Sequence, residues 1–426
     1  MINDQLSLLV LSGVQGDPRR YRTFHLYEQA CLANLNCQLS HVTDPAIRKK
    51  IKASNIVLIH RASYDSLIAW IVEEIRRKDG ILIFDIDDLV FDMDAIKFID
   101  SPDFADPVRQ ALYQENIQLT RRTLEFSNTV TTSGKFLMQR VKQLGKPAHV
   151  HRNAFSSEML VCSENAYHNR KTKQRQIVIG YASGTPTHDQ DFALIKPSLK
   201  SVLSRHPDTK LVLVGTVDPG RDWGDVEGQI RRISRLPWRK LPEIQVQFDI
   251  NLAPLRMNNP FGQSKSEIKY VEAGLLRVPT IASSNDAFKQ AIRHEDNGFL
   301  AEDSEEWEGL LEKLIAQPQM RIEMGERAHR DVLQRYHPNV RSRELVELVN
   351  LITNNRYKLA YTDSPATTKA ERLQLLWRNA NLERTPTLIQ RAWYTVRYRN
   401  FATLVKQVWI YFRRMVAPIF PYRALP

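Results

Sequence analysis

Short apolar runs alternate along the chain with longer segments in which apolar residues recur every three or four positions. The short runs are typical of strands buried on both faces, and the longer segments are typical of helices. Their alternation predicts a parallel sheet covered by helices. In the first part of the chain the predicted strands are Ser7–Leu11, Ile56–His60, Gly80–Phe84 and Thr129–Ser133, and the predicted helices are Leu67–Arg77 and Val108–Phe126.

The same pattern restarts after a polar interval, Val150–Gln176, which we interpret as a linker. A chain of 426 residues is too long for one ordinary hydrophobic core. We therefore predict two Rossmann-like domains facing a cleft, residues 1–170 and 171–350, followed by a linker and tail over residues 351–426. The predicted strands of the second domain are Gln176–Tyr181, Lys210–Gly215, Arg231–Pro237 and Gln245–Pro254, and its predicted helices are Phe192–Arg205, Trp307–Ala316 and Met320–Tyr336.

The segment Ser264–Ser283 carries the most distinctive combination of residues. Its hydroxyl residues at the start are typical of a helix cap, and Pro279 is expected to end that helix before a short strand. A helix N-terminus with Lys265 beside it is suited to an anion. Glu272, two turns along, would supply a carboxylate for sugar hydroxyls. This combination predicts a nucleotide-sugar pocket.

Loops follow the first strand of each predicted domain, where ligands approach a parallel sheet. After the first strand, Gly13 precedes Arg19, Arg20 and Arg22, which either face a phosphate or acceptor or form a solvated basic helix start. In the second loop, backbone N–H groups with the side chains of Gly184–His188 could hold a diphosphate, unless this is an ordinary proline turn. The candidates there are Gly184, Thr185 and His188, and Leu236 with Trp238 would frame a base unless Trp238 simply fills the core.

Three carboxylates occur within the four residues Asp85–Asp88. Asp85 could be a phosphatase nucleophile, although Leu89 stands where that motif has a threonine. A metal–diphosphate site is a second interpretation, since hard cations prefer carboxylate oxygens. In the third, Asp87 and Asp88 line the cleft and orient an acceptor or act as a base. Mutual repulsion of the carboxylates makes a purely structural role the weaker alternative.

Most of the net charge of +12 lies in the tail, since residues 366–426 carry eleven Lys/Arg and two Asp/Glu, a net +9. This distribution argues against a nucleic-acid surface on the body. Within Leu388–Val416, five arginines and Lys406 accompany bulky apolar residues, of which Phe401, Leu404, Val405, Val408, Trp409 and Phe412 share one helical stripe. This composition is typical of a helix at an anionic membrane surface. Packing of this helix on the first domain is the alternative. The three cysteines form no CxxC pair, and neither a signal peptide nor a membrane-spanning run is evident, so we expect a cytoplasmic protein.

Lys265-Ser-Glu-Ile-Lys, Glu272-Ala-Gly and Val278-Pro-Thr-Ile-Ala-Ser283 together resemble the donor-site segment of glycosyltransferase family 4, which has the GT-B fold. Gly180–Asp189, Leu213–Gly215 and Asp249–Pro254 are similar to the C-terminal domain of that family, while Phe84–Asp92 and His151–Asn153 are similar to a bacterial polysaccharide-associated branch.

The resemblance implies a role for each matching residue. Glu272 would bind the donor ribose, and Ser264 stands where the family has a glutamate on the transferred sugar. Lys265 and His188 would substitute for the usual diphosphate cations, and Ser266 would line the donor site. In many relatives a His-Asp pair stands where this chain has Asp87-Asp88, which with Lys265 form our predicted catalytic set.

The implied activity is a retaining, metal-independent transfer from a nucleotide diphosphate sugar to a glycan or lipid-linked acceptor, with no other cofactor. The expected process is polysaccharide biosynthesis, and the expected place is the cytoplasm, at the inner face of the cell membrane if the tail binds lipid. The alternatives are a sugar-nucleotide-binding scaffold that has lost catalysis, because of Ser264, and a phosphatase built on Asp85.

Overall fold

The computed structural model describes residues 6–98, 106–170, 176–184, 188–218, 220, 222–361 and 386–416, with side chains as far as residue 409. Within these residues the chain forms two parallel six-stranded sheets, each covered by helices. The prediction of two Rossmann-like α/β units is confirmed.

The first sheet has the strand order β2-β1-β3-β4-β5-β6. Its strands β1 and β3 are buried along their whole length, which explains why they read as continuous apolar runs rather than as alternating ones. The strands are Leu8–Ser12 (β1), Cys37–His41 (β2), Ile56–His60 (β3), Ile81–Ile86 (β4), Thr129–Thr132 (β5) and Ala148–Val150 (β6). The helices are Asp17–Arg19 (α1), continued by the π turn Arg20–Phe24, His25–Leu32 (α2), Ile47–Ala53 (α3), Ser66–Arg77 (α4), Pro107–Phe126 (α5) and Lys135–Gln143 (α6), with the 3₁₀ turn Met93–Phe98.

The second sheet has the strand order β12-β11-β10-β7-β8-β9. Strand order reverses direction between β7 and β10 here, and between β1 and β3 in the first sheet, and such switch points open a crevice at the carboxyl ends of parallel strands. The strands are Ile177–Ser183 (β7), Thr209–Gly215 (β8), Ile230–Ile233 (β9), Ile250–Ala253 (β10), Thr280–Ser283 (β11) and Phe299–Ala301 (β12). The helices are Ser157–His168 (α7), Asp189–Ala193 (α8), Lys196–Arg205 (α9), Leu241–Gln245 (α10), Pro260–Ser264 (α11), Ile268–Leu275 (α12), Asp286–Ala291 (α13), Ser304–Ala316 (α14) and Pro318–Tyr336 (α15).

The predicted linker Val150–Gln176 is wrong over much of its length, because α7 lies within it. The Ser156 hydroxyl caps this helix by accepting a hydrogen bond from the backbone N–H of Met159, 3.2 Å away. Met159 is buried in the core of the second unit. The largely polar composition of the interval had concealed this short helix.

Helix α16, Pro338–Ile352, returns the chain to the first unit. It packs against α2, and the Ser342 hydroxyl donates a hydrogen bond to the carbonyl oxygen of Gln29 at 2.8 Å. Leu345 and Val349 join the core beneath β1. Residues 338–350 belong to the predicted second domain, but α16 packs mainly on α2 of the first unit and has a smaller contact with α15.

The predicted helical tail is present as α17, Leu388–Tyr394, the π turn Thr395–Arg399, and α18, Phe401–Val416. Its first part packs on the first unit, where Tyr394 and Tyr398 are buried in the core. The Ser66 hydroxyl donates to the Tyr398 carbonyl at 2.9 Å, and Asp65 accepts from the Tyr394 hydroxyl. No helix in the described part of the chain is long and apolar enough to cross a membrane.

Candidate functional site

The carboxyl ends of both sheets meet at a cleft, and side chains from the two units touch across it. One contact joins the residues just before α12 to the loop that follows β4. There, Lys265 Nζ lies 2.8 Å from Asp88 Oδ2, and Ser264 Oγ lies 3.2 Å from Asp88 Oδ1. Burial alone would raise the pKa of Asp88, but the charges of Lys265 and Arg61 lower it below its usual range. Three predicted site residues are therefore brought together, with Asp88 ionised.

Asp87 faces the interior of the first unit at the same edge. Its carboxylate accepts hydrogen bonds from Arg61 and from His60 Nε2, the latter at 3.1 Å. Burial acts to raise the pKa of Asp87, yet the neighbouring Arg61 charge and the His60 hydrogen bond lower it well below its ordinary value. A carboxylate held ionised in this way is an anchor for a cation or for donor groups rather than a ready proton acceptor.

Asp85 is enclosed beneath these two residues. Both of its carboxylate oxygens accept from Arg22, at 2.9 and 2.5 Å, and Thr131 donates to it at 2.6 Å. Because Asp85 is fully buried, it offers no approach to a phosphoryl group, and the geometry argues against the phosphatase alternative. The three aspartates diverge, and no cluster of three His, Cys, Asp or Glu suited to a metal ion exists among the described residues.

The structure does not support the prediction that Arg22 faces a phosphate or acceptor. The side chain is fully buried and also donates to the His151 carbonyl at 2.6 Å and to Asn153 Oδ1 at 3.1 Å. Its burial and its hydrogen bonds leave no path to a ligand. Arg19 is buried as well, 4.8 Å from the ring centroid of Phe24. Gly13 is needed for packing, since a Cβ there would lie 2.5 Å from the Cα of Ala62.

Helix α12 begins differently from the prediction. Ser264 ends the short helix α11, and the residue at the N-cap of α12 is Glu267. Glu267 is buried, with Arg152 Nη1 at 3.2 Å and the Tyr336 hydroxyl at 2.9 Å. Ser266 Oγ accepts from Asn153 Nδ2 at 2.9 Å. The start of α12 is thus held by Arg152 and Asn153, which follow β6, and by Tyr336 at the end of α15.

Glu272 lies on the wall of a recess between the two units. The Tyr21 hydroxyl donates a hydrogen bond to its carboxylate, although the two residues are 251 positions apart. Burial, which outweighs the opposing charge of Arg20, raises the pKa of the Tyr21 hydroxyl, so it remains a donor. The guanidinium of Arg20 lies 4.3 Å from the Tyr21 ring centroid and 4.6 Å from that of Trp238. The recess is lined by Arg20, Met159, Trp238, Leu241, Gln245 and Glu272.

The second loop contributes His188, whose Nδ1 lies 2.8 Å from Asp191 Oδ2. Burial is the largest influence on the pKa of His188 and lowers it, and the charges of Lys265 and Lys269 act in the same direction. Gly184 is exposed near Asp17 of the first unit. Thr185 lies outside the described residues. Leu236 is half-buried against an apolar cluster that contains Val246 and Phe248. Trp238 borders the recess, and the guanidinium of Arg239 lies 4.4 Å from its ring centroid.

Sequence reasoning missed Tyr21, Arg61 and Lys269. Nothing in the local sequence separates Tyr21 or Arg61 from surface residues, because their partners are distant in the chain. Lys269 did carry a signal, since it lies three residues before Glu272 and therefore shares a face of α12 with it.

This site can be compared with known proteins. Residues 196–347 match the family model described as glycosyl transferase-like. That span contains Lys265, Lys269 and Glu272, and it ends within α16. A curated relative, the GDP-Man:Man(3)GlcNAc(2)-PP-Dol alpha-1,2-mannosyltransferase of Dictyostelium discoideum, is 23% identical over 211 residues. The match covers 42% of this chain and only 40% of the relative's length.

Solved structures share the overall architecture. Anabaena Alr3699/HepE in complex with UDP-glucose superposes with a TM-score of 0.53 at 14% identity, covering 82% of this chain and all of that one. Sucrose-phosphate synthase from Thermosynechococcus elongatus gives 0.55 at 13% identity, covering 82% of this chain and 99% of that one. At these identities the likeness concerns the fold alone. The predicted GT-B fold is confirmed.

Proposed function

We propose that this protein is a glycosyltransferase that moves a sugar from a nucleotide diphosphate sugar to a glycan or lipid-linked acceptor. The observation that carries the proposal is the placement of Glu272 on α12 and of Lys265 just before that helix, where each contacts the first unit across the cleft. The glycosyl transferase-like match over the same residues supports it. So do the relatives, one named as a mannosyltransferase and one solved with UDP-glucose.

In the proposed mechanism Glu272 accepts hydrogen bonds from the donor ribose. Lys265, His188 and the backbone N–H groups at the start of α12 stabilise the negative charge of the departing diphosphate. Charge stabilisation by these groups would make the transfer independent of a metal, and we propose that it retains configuration at the sugar. Asp87 and Asp88 would orient the acceptor from the opposite wall. Closure of the two units would exclude water and limit hydrolysis of the donor.

We further propose that the enzyme works in bacterial polysaccharide biosynthesis, in the cytoplasm at the inner face of the cell membrane. Support comes from the tail, where residues 386–416 contain six Lys/Arg and no Asp/Glu. The described side chains of α18 expose an apolar face. That face and its charge are suited to anionic lipid.

A sugar-nucleotide-binding protein without catalysis is the second candidate. It is favoured by one observation, namely that Ser264 replaces the family's glutamate and contacts Asp88 instead of leaving a free carboxylate in the cleft.

The deciding experiment incubates the protein with UDP-, GDP- and ADP-sugars and measures release of the nucleoside diphosphate, with and without membrane extract as acceptor. Acceptor-stimulated release is expected with one donor class, and Glu272→Ala should weaken donor binding at least about tenfold by calorimetry. Glu243→Ala, which removes an exposed carboxylate on α10, is the matched control. Binding without any release would establish the second candidate. Unchanged binding by Glu272→Ala would overturn the assignment of the ribose site.

A further inference from the structure

Lys269 occupies the switch point of the second sheet. It is the second residue of α12, and its ammonium group donates a hydrogen bond to the carbonyl of Ala182 near the carboxyl end of β7. Nζ also lies 4.8 Å from the ring centroid of Tyr181. A lysine on a helix surface normally extends into water. Here the side chain instead crosses the crevice between α12 and β7.

The charge of Lys269 is not balanced by an ion pair. Among the described residues, no carboxylate oxygen lies within salt-bridge distance of its Nζ, and its contacts are the carbonyl and the ring. Nearby carboxylates have other partners, since Asp191 accepts from His188 and from the backbone of Arg256, and Glu272 accepts from Tyr21. A cation in a low-dielectric crevice is stabilised by an opposing charge, which an anionic ligand would supply.

Lys265 differs in this respect. Its ammonium is paired with Asp88 from the first unit at 2.8 Å, so much of its charge is already neutralised across the cleft. Of these two lysines, which are four residues apart in the sequence, Lys269 is therefore the one whose charge has no opposing charge within salt-bridge distance among the described residues.

We propose that Lys269 binds the phosphate groups of the nucleotide donor. The inference rests on the proposed function and names a residue that positions the donor there. The ligand chemistry is that of a nucleoside diphosphate. The carbonyl of Ala182 holds the ammonium in the crevice, and the remaining N–H donors of the lysine are available to phosphate oxygens.

The same placement makes donor binding depend on pH. Burial is the main cause that lowers the pKa of Lys269 to about 8, the charge of Lys265 acts in the same sense, and Glu272 and Asp191 oppose it. His188 and Tyr181 are the other titratable groups that face this crevice. Because the ammonium is charged only below its pKa, affinity for a diphosphate should fall as pH rises through about 8.

The test titrates UDP, GDP and inorganic pyrophosphate into the full-length protein by calorimetry between about pH 7 and pH 9.5. Lys269→Met should weaken binding at neutral pH about tenfold or more, whereas Lys269→Arg should bind within a few-fold of wild type. Lys269→Arg should also lack the decline above pH 8, since arginine stays protonated there. Lys289→Met, at an exposed lysine on α13, is the matched control.

Three results are decisive. If Lys269→Met binds every probe as tightly as the wild type, the inference is wrong. If it binds weakly but Lys269→Arg shows the same pH profile as the wild type, the lysine has only a structural role and the inference is again wrong. If the wild type binds pyrophosphate but neither nucleotide, the proposed function fails while the Lys269 variants still decide whether this crevice is an anion site.

Discussion

At the scale of the residue, buried charges in the first unit fall into two kinds. Arg22 and Asp85 satisfy each other, with hydrogen bonds to both carboxylate oxygens. Glu28 is also buried, but the partner shown for its carboxylate is the backbone N–H of Ser157, 3.0 Å away. Removing one member of the first pair would leave an unpaired buried charge, whereas Glu28 avoids that state by holding a proton.

The Glu28 carboxyl should make stability depend on pH. Burial raises its pKa to about 7, so the native state binds a proton that the unfolded state releases above its own lower pKa. The stabilisation is complete below the unfolded pKa and is lost as pH rises through about 7. Between about pH 5 and pH 8 the free energy of unfolding should fall by about 2 kcal/mol more in the wild type than in Glu28→Gln.

Urea denaturation of both proteins at the two pH values measures this difference. Glu243→Gln, at an exposed position on α10, serves as the control and should follow the wild type. Parallel pH profiles for wild type and Glu28→Gln would contradict the prediction.

Single residues also show where sequence reasoning stops. Arg22 belongs to a basic segment that looks solvated, and its partner Asp85 lies 63 positions away, so only the folded packing reveals that it is internal. The helix that carries Glu272 was predictable because its apolar period and its ending at Pro279 are local, whereas the role of Glu272 stays a prediction. The local sequence predicts Ser264 as a helix cap, but in the structure it is the last residue of the short helix α11.

At the scale of the element, strands with long apolar runs were predicted within about two residues of their ends, since burial on both faces leaves an unmistakable pattern. The short strands Cys37–His41, Ala148–Val150 and Phe299–Ala301 were missed, because polar or half-buried residues interrupt their pattern. The tail was predicted as one helix, but Asn400, in extended backbone, divides it. Packing on the first unit holds for the first part of this tail, whereas the described side chains of the second part are largely exposed and their binding to lipid stays a prediction.

Helix α18 presents an apolar face without a partner among the described side chains through residue 408. Phe401 is 67% exposed and Val408 58% exposed, and Val405 lies between them on the same face. Large apolar side chains gathered on one exposed face usually mark a contact surface. The accompanying arginines and lysine favour anionic lipid over a neutral surface.

Flotation with vesicles tests this face. Wild type should float with vesicles that contain phosphatidylglycerol, and Phe401→Ser with Val408→Ser should reduce the bound fraction about tenfold or more, because each apolar side chain contributes roughly 1.5–3 kcal/mol when buried. The matched control replaces Ile322 and Leu351, each 60% exposed elsewhere on the molecule, by serine. Equal flotation of both double variants would contradict the proposal.

At the scale of the whole molecule, the two units are joined by partly buried polar contacts across the cleft. Tyr21 with Glu272 and Asp88 with Lys265 tie the walls on which the proposed donor and acceptor groups lie. The pair Arg235 with Asp17 also spans the cleft at 3.4 Å, but both side chains are exposed. Exposed ion pairs contribute little, so the two partly buried contacts should govern closure.

The double variant Tyr21→Phe, Asp88→Asn should open the cleft. Each lost hydrogen bond to a charged group is worth about 1.5–3 kcal/mol, which shifts the balance between closed and open forms by more than about tenfold. Small-angle X-ray scattering should detect a larger radius of gyration than in the wild type. Arg235→Gln is the control, and an unchanged radius in the double variant would show that closure depends on other contacts.

The return of α16 to the first unit means that the chain passes between units twice, near residues 151–156 and again at His337. Arg341 Nη2 donates to the Arg152 carbonyl at 3.3 Å, so the two crossings lie side by side. The second unit is therefore an insertion in the first, and the two points where the chain crosses between them are adjacent. A unit whose two ends are adjacent can be replaced by a related one without cutting the first sheet or the tail. The two walls of the cleft, and with them the proposed donor and acceptor sites, would then be free to change separately.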